Sequence, residues 1–248
     1  VAQQIIPLRM NIRSWLPVVP LFLSSLTYAD DGYRLWLDYD KIEDEAVRQR
    51  YMNLIQGWLV IDNSATAEVV KSELRLALDG LFGTRIPQLK HEENNFLVAG
   101  TTTTLVDQYP EIRKHTKNLS AEGYALCTVR RKGKSITVVA GGSPTGMLYD
   151  TFHLLRLLQM HKPIDDLEII MNPRTKVRIL NHWDNLDGTV ERGYAGFSIW
   201  DWHKLPDYTD PRYTDYARAN DYIGINGTVS HQRQRQRVGI NPPLPGKS

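Results

Sequence analysis

The sequence predicts an α/β protein: a mixed α/β sheet domain over residues 30–174, then a β–α–β unit over residues 175–229. Three observations carry this reading. From Tyr33 to Pro173, short β-prone runs alternate with helical stretches that have an apolar face, the pattern of a sheet covered by helices. The character of the chain then changes at Thr175, after a proline-flanked stretch from Pro163 to Pro173. Downstream, a strand Val177 to Trp183, a long loop, a helix near Pro211 to Asn220 and a strand Tyr222 to Asn226 follow one another as strand, crossover and parallel strand.

In chain order, Tyr33 to Leu37 is expected as a strand, Glu43 to Leu54 as a helix and Trp58 to Asp62 as a second strand. Ser64 or Thr66 can cap a helix whose apolar residues Val69, Val70, Leu74, Leu76, Leu78 and Leu81 give a wide face ending near Gly83. Phe96 to Gly100 is the next strand. Thr101 to Thr104 lacks the Gly-x-x-x-x-Gly-Lys spacing of a phosphate loop and reads as a loop with a helix cap. Gly123 to Arg130 and Ser135 to Gly141 form an antiparallel pair around Lys132, Gly133 and Lys134. Gly141 to Gly146 fails the nucleophile elbow Gly-x-Ser-x-Gly, because Thr145 stands where the second glycine is needed. Ser143 and Pro144 instead start a helix that is apolar nearly all round, with His153 as a core histidine inside it. A short strand at Leu167 to Met171 closes the domain.

Of 248 residues, 42% are hydrophobic and 23% charged, which is ordinary for a globular protein. The formal charge of +2 comes from the ends. Arg9, Arg13, Arg233, Arg235, Arg237 and Lys247 lie there with no acidic residue, and setting them aside leaves 24 basic against 28 acidic residues. A net charge of about −4 in the folded part argues against a nucleic-acid partner held by counterion release. Cys127 is the only cysteine, so no intrachain disulfide forms, and its place in the alternating run Tyr124 to Val129 makes it a small buried side chain.

The first methionine is Met10, so residues 1–9 read as an upstream segment. Arg13, the apolar run WLPVVPLFLSSLTY and the small-x-small site Thr27-Tyr28-Ala29 predict a signal peptide from Met10 to Ala29 and export to the periplasm or the extracellular space. A membrane span is not expected, because the run falls short of about 20 apolar residues and contains Pro17 and Pro20.

The stretch Lys176 to Trp202, KVRILNHWDNLDGTVERGYAGFSIWDW, organises the function. Carbohydrate recognition needs a flat aromatic face against the ring C–H surface and amides and carboxylates for the hydroxyls. Trp183, Trp200 and Trp202 supply faces, and Asn181, Asp184 and Asn185 arrive where the strand opens into a loop. His182 and His203 have no metal-ligand spacing, and neither metal nor cofactor is expected.

The run NHWDNLDGTVERGYAGFSIWDW, followed by YTDYARANDYIGINGTV at Tyr213 to Val229, resembles the start of the catalytic barrel in the α-glucuronidases of glycoside hydrolase family 67. Looser similarity runs back to DGYRLWLDYDKI at Asp31 to Ile42. The resemblance implies that residues 30–174 are the non-catalytic N-terminal domain and residues 175–229 the beginning of a (β/α)8 TIM barrel, incomplete here. Sites of such barrels form at the C-terminal ends of the strands, where Trp183, Asp184, Asn185 and Asn226 are expected. Trp183 matches a family tryptophan that packs against glucuronic acid, with barrel-core packing as its alternative. The implied reaction is hydrolysis of the α-1,2 bond joining (4-O-methyl-)glucuronic acid to xylan-derived xylooligosaccharides, by an inverting two-carboxylate mechanism.

Inverting hydrolysis places two carboxyls about 6.5–9.5 Å apart; Asp184, Asp187, Glu191 and Asp201 are the candidates in the central stretch, and Asp184 and Asp187, three residues apart on one loop, are poorly placed to flank both faces of a sugar. The resemblance implies that the acid and base come from later strands, so no residue of this chain is expected to be catalytic. The alternative function is therefore an inactive fragment that at most binds carbohydrate weakly. The expected partners are glucuronoxylan-derived oligosaccharides, and no homodimer is expected. Residues 230–248, with three Gln-Arg repeats and no periodicity, read as a disordered tail. Gln-Arg codons shifted by one nucleotide encode asparagine alternating with Val, Ala, Gly or Asp, which the family's continuation resembles, so a frameshift near Val229 is expected. The open edges and apolar faces of two barrel strands are expected to make residues past Thr175 sensitive to protease and the chain prone to self-association.

Overall fold

The computed structural model describes residues 32–230. The expected signal peptide and the tail from residue 231 lie outside the described residues. Where a strand was expected at Tyr33 to Leu37, Leu35–Leu37 form a single 3-10 turn. Leu35 has φ 53°, which breaks an extended run. Helix α1, Glu45–Leu54, starts after Asp44, whose carboxylate accepts the N–H groups of Ala46 and Val47. Strand β1 is Trp58–Val60. Helix α2, Ala65–Phe82, uses Ser64 rather than Thr66 as its cap and stops at Gly83.

Strand β2, Phe96–Thr101, is buried along its whole length, as its unbroken apolar run requires of an interior strand. A short helix α3, Thr102–Leu105, lies where a loop with a helix cap was expected, and the hydroxyl of Thr101, just before it, bonds those of Thr103 and Thr104. A 3-10 turn at Pro110–Ile112 leads into α4, Arg113–Thr116. Strands β3, Tyr124–Arg131, and β4, Lys134–Gly141, are the expected hairpin. Its turn is Lys132-Gly133 alone, both at positive φ of 50° and 77°, the backbone of a two-residue turn that follows the twist of the strands. Helix α5, Pro144–Gln159, begins at Ser143 with proline at its first position, and β5, Glu168–Met171, is the last strand of this sheet.

The five strands lie in the order β1-β2-β4-β3-β5, parallel across β1, β2 and β4, with β3 antiparallel to both of its neighbours, β4 and β5. Helices α2 and α5 cover one face through Leu74, Leu78, Phe152 and Leu155. The other face packs Phe96, Val98 and Cys127 against Leu105, Tyr109 and Ile112. Cys127 is 3% exposed, and burial pushes its thiol up to about 12, so it is a core side chain. His153 has a partner in the Tyr124 hydroxyl, 3.0 Å from Nδ1.

A second, two-stranded sheet follows. Strand β6, Ile179–His182, and strand β7, Gly227–Ser230, are parallel, with helix α6, Pro211–Tyr222, as the crossover between them. The β–α–β unit is thus present, but β7 is not where it was expected. Tyr222 is the last residue of α6, 7% exposed, packed on Phe152 at 5.5 Å and bonded through its hydroxyl to Gln159 at 2.7 Å. Gly224, at φ 77°, then turns the chain, so pairing resumes only at Gly227. A buried aromatic that satisfies the helix outweighed the strand propensity of Tyr222, Ile223 and Ile225.

The β–α–β unit is not a separate body: residues 34–230 belong to one compact unit. Arg218 of α6 makes a bidentate pair with Glu73 of α2, at 2.8 and 3.0 Å. Trp36 donates its indole N–H to the Ala219 carbonyl at 2.9 Å. At the other end Glu122 accepts from Arg178 at 2.8 Å and from Asn226 at 2.9 Å. Around the two-stranded sheet Val177, Ile179, Leu180, Ile223 and Val229 remain exposed.

Candidate functional site

The chain leaves β6 at His182 and folds back on itself before reaching α6. Asp184 forms an isolated bridge with Val190, and Thr189 one with Phe197. This small loop closes around an open pocket of about 350 Å³, lined by Asn181, His182, Trp183, Asp184, Val190, Glu191, Ala195, Phe197, Ser198 and Ile199. Phe197, Ser198 and Ile199 also line a second pocket of about 340 Å³ that continues to Trp200, Trp202, Lys204 and Tyr213.

Trp183 is 55% exposed on the pocket wall, so it presents a face to solvent rather than packing in a core. Asp184, its neighbour, is only 2% exposed. Its Oδ2 accepts the Ser198 hydroxyl at 2.8 Å, and the Ser198 oxygen in turn accepts the Trp200 N–H at 2.9 Å. Asn185 spends its side-chain amide inside the loop, donating to Thr189 Oγ1 at 2.9 Å and to the Glu191 carbonyl at 2.7 Å. Asp187 accepts the N–H and hydroxyl of Thr189 at 3.0 and 2.7 Å. These three side chains build the loop and its wall, and the pair Asp184 and Asp187 does not face across the pocket as an acid and base would.

Asn226 stands elsewhere. It precedes β7, at the N-terminal end of the parallel pair, whereas the pocket opens past the C-terminal end of β6. Its amide donates to Glu122 at 2.9 Å and to the Lys176 carbonyl at 2.7 Å, and its oxygen accepts the Arg178 N–H at 2.8 Å. The expectation that it joins Trp183 is corrected: the shift of β7 from 222–226 to 227–230 moves Asn226 from strand end to strand start.

Beside the pocket lies an aromatic cluster of which the sequence marked Trp200 and Trp202 but not Tyr213 and Tyr216. Trp200 lies 4.7 Å from Tyr213 and 6.1 Å from Trp202, and meets Tyr216 edge-on at 5.7 Å. His182 Nε2 is 2.5 Å from the Tyr216 hydroxyl, and the Tyr213 hydroxyl accepts the Asp201 N–H at 2.7 Å. Tyr213 and Tyr216 are three apart on α6 and share a face, a helical signal that the sequence carried. Glu191, at φ 56°, also lines the pocket and accepts the Tyr194 hydroxyl, which raises the Tyr194 phenol above its usual range. Its hydrogen bond to Lys204 holds the Asp201 carboxyl low. Among the described residues no group of three or more His, Cys, Asp or Glu side chains could hold a metal ion, and no helix is long and apolar enough to cross a membrane.

Comparison with known proteins decides the family. The glycosyl hydrolase family 67 N-terminus matches residues 35–154, and the family's middle domain matches residues 157–240, past Val229. The chain belongs to glycoside hydrolase family 67. Curated relatives of this family-67 chain include "Probable alpha-glucuronidase A" of Aspergillus oryzae, 30% identical over 87% of this chain and 25% of the relative. "Alpha-glucuronidase A" of Emericella nidulans is 31% identical over 88% of this chain and 26% of the relative. "Alpha-glucuronidase" of Hypocrea jecorina is 29% identical over 89% of this chain and 27% of the relative. The chain thus spans about a quarter of the length of the curated relatives it matches. A solved family GH115 4-O-methyl-α-glucuronidase superposes at a TM-score of 0.47 and 15% identity over 71% of this chain and 25% of that one, too low for an argument from the fold.

Proposed function

We propose that this family-67 chain carries the N-terminal domain and the opening strands of the (β/α)8 barrel of an α-glucuronidase. Its pocket past β6 takes the glucuronic acid, or 4-O-methylglucuronic acid, that is α-1,2-linked to xylan-derived xylooligosaccharides. The observation that carries this reading is Trp183, half exposed on the wall of a pocket of about 350 Å³ at the C-terminal end of a parallel strand. An aromatic face there stacks on a sugar ring, and the C-terminal ends of parallel strands are where sites on such folds gather. The relatives' names supply the class of reaction.

Asp184 and Asn185 enter this reading as residues that fold the pocket wall, because Asp184 Oδ2 and the Asn185 side-chain nitrogen already have partners within the loop. Asn226 takes no part in sugar contact. In the inverting mechanism one carboxyl protonates the leaving oxygen and a second activates water on the opposite face. The resemblance assigns both carboxyls to later strands of the barrel, so the role proposed for this chain is to bind and orient the glucuronate. Export through the Met10 to Ala29 segment belongs to the same reading.

The test is saturation-transfer NMR on the chain with a glucuronate-bearing xylooligosaccharide, followed by an assay for free glucuronic acid. The expected result is strongest transfer to the glucuronate protons with no free glucuronic acid released. Transfer confined to the xylose units, or none at all, contradicts the assignment.

A further inference from the structure

Between the pocket and the five-stranded sheet lies one helix, α6, and it faces both. On one side Tyr213 packs at a tilt against Trp200, ring centroids 4.7 Å apart, and the Tyr216 hydroxyl is 2.5 Å from Nε2 of His182, which lines the pocket. On the other side Arg218 reaches Glu73 of α2 with two nitrogens, at 2.8 and 3.0 Å, and its third bonds Asp215 Oδ1 at 2.7 Å. Glu73 is 2% exposed and takes a further bond from the Tyr39 hydroxyl at 2.6 Å. Tyr216 and Arg218 are two residues apart, which on a helix places them on opposite faces of the same turn. A displacement of that turn therefore moves both contacts together.

The apolar contacts of α6 do not fix its place as strictly. Tyr222 packs against Phe152 and Trp36 by burial, which tolerates small slides, and the Trp36 bond to the Ala219 carbonyl and the Tyr222 bond to Gln159 are each single hydrogen bonds. A planar guanidinium on a carboxylate through two parallel hydrogen bonds has one good geometry. We propose that Glu73 is a positioning residue for the pocket: by holding Arg218 it fixes where α6 lies, and thereby sets Tyr213 and Tyr216 beneath Trp200 and His182. The N-terminal domain thus acts as the template for the aromatic cluster against which His182 of the pocket wall packs. Only the identity of the ligand in this inference rests on the function proposed above.

The experiment reads His182 directly in the full chain. Its imidazole resonances, assigned by loss in His182→Gln, are followed by NMR in the wild type, in Glu73→Gln and in Arg218→Lys. A control, Tyr51→Phe, removes a hydroxyl that donates to the Lys162 carbonyl at 2.6 Å, elsewhere in the same domain. The inference expects shifted His182 resonances and an altered near-ultraviolet tryptophan signal in Glu73→Gln and Arg218→Lys, with far-ultraviolet spectra unchanged. It expects Tyr51→Phe to lower the melting temperature and leave His182 where it was. Unchanged His182 resonances in Glu73→Gln, or an equal change in Tyr51→Phe at matched loss of stability, overturn it. Should Glu73→Gln fail to fold, Arg218→Lys decides alone, since it keeps the charge and loses the fork. The His182 readout needs no ligand, so absence of sugar binding in the wild type would sink the functional reading and leave this inference standing.

Discussion

Trp183 and Asp184 are neighbours in the chain with opposite fates: one is 55% exposed on the pocket wall and the other 2% exposed beneath it. Successive residues of an extended segment point to opposite sides, so one neighbour meets solvent while the other meets the loop. Trp183→Ala removes a stacking face worth about 0.5–1.5 kcal/mol beyond its area, which should weaken the proposed glucuronate binding roughly 2- to 12-fold. The melting temperature should barely move, because the ring is not packed. Calorimetric titration beside a thermal melt checks both, and a large loss of stability would place the ring in the core after all. A second residue sets a pH dependence. Burial pushes the carboxyl of Asp221, near the end of α6, from 3.8 up to about 6. The folded chain therefore holds this proton more tightly than the unfolded chain does. The resulting stabilisation is complete at acid pH and is lost as the pH rises from about 4 through about 6. Asp221→Asn should raise the melting temperature relative to wild type at pH 7 and not at pH 4. Equal effects at both values would refute the raised carboxyl. Asp150, fully buried, is shifted in the same direction, so the variant removes only part of the wild-type slope.

At the scale of elements, legibility followed burial and capping. Helix α2 was readable because Ser64, the apolar stripe from Val70 to Leu81 and Gly83 agree with one another, and the hairpin β3–β4 because Lys132-Gly133 sits between two alternating runs. Strand β7 was misplaced because Tyr222, Ile223 and Ile225 have β propensity, while the contact that makes Tyr222 helical, Phe152, lies 70 residues away. The same long-range dependence hid the tyrosines beside the pocket. Trp183 and Asp184 stood out in the sequence as a cluster at a strand end, but the roles of Ser198, Tyr213 and Tyr216 exist only once the loop closes on α6. Docking of α6 also alters the expected cleavage pattern. Residues past Thr175 are not uniformly open, since Arg218 and Trp36 tie α6 to the sheet domain. Limited proteolysis should cut first in the exposed loop around Arg192, Tyr194, Phe197 and Tyr208, and the fragment bearing α6 should stay bound to the rest. Release of that fragment on native chromatography would show that the ties to α2 are weak.

On the scale of the whole molecule, the sheet domain and the β–α–β unit divide the work. The first is a closed three-layer core, with apolar clusters on both faces of its sheet. The second is a two-stranded sheet whose apolar residues Ile179, Leu180 and Val229 stay exposed, and which takes its support from Glu73 and Glu122 of the first. A pair of strands is marginal alone, so the pocket at the end of β6 depends on a domain that does not line it. The account stands on that pocket recognising glucuronate. Isothermal titration of the chain with xylooligosaccharides of equal length, with and without the α-1,2-linked glucuronic acid, tests it most directly. Saturable binding of the decorated oligosaccharide and none of the plain one is the predicted result. Equal affinity for the two, or binding of neither, would contradict it.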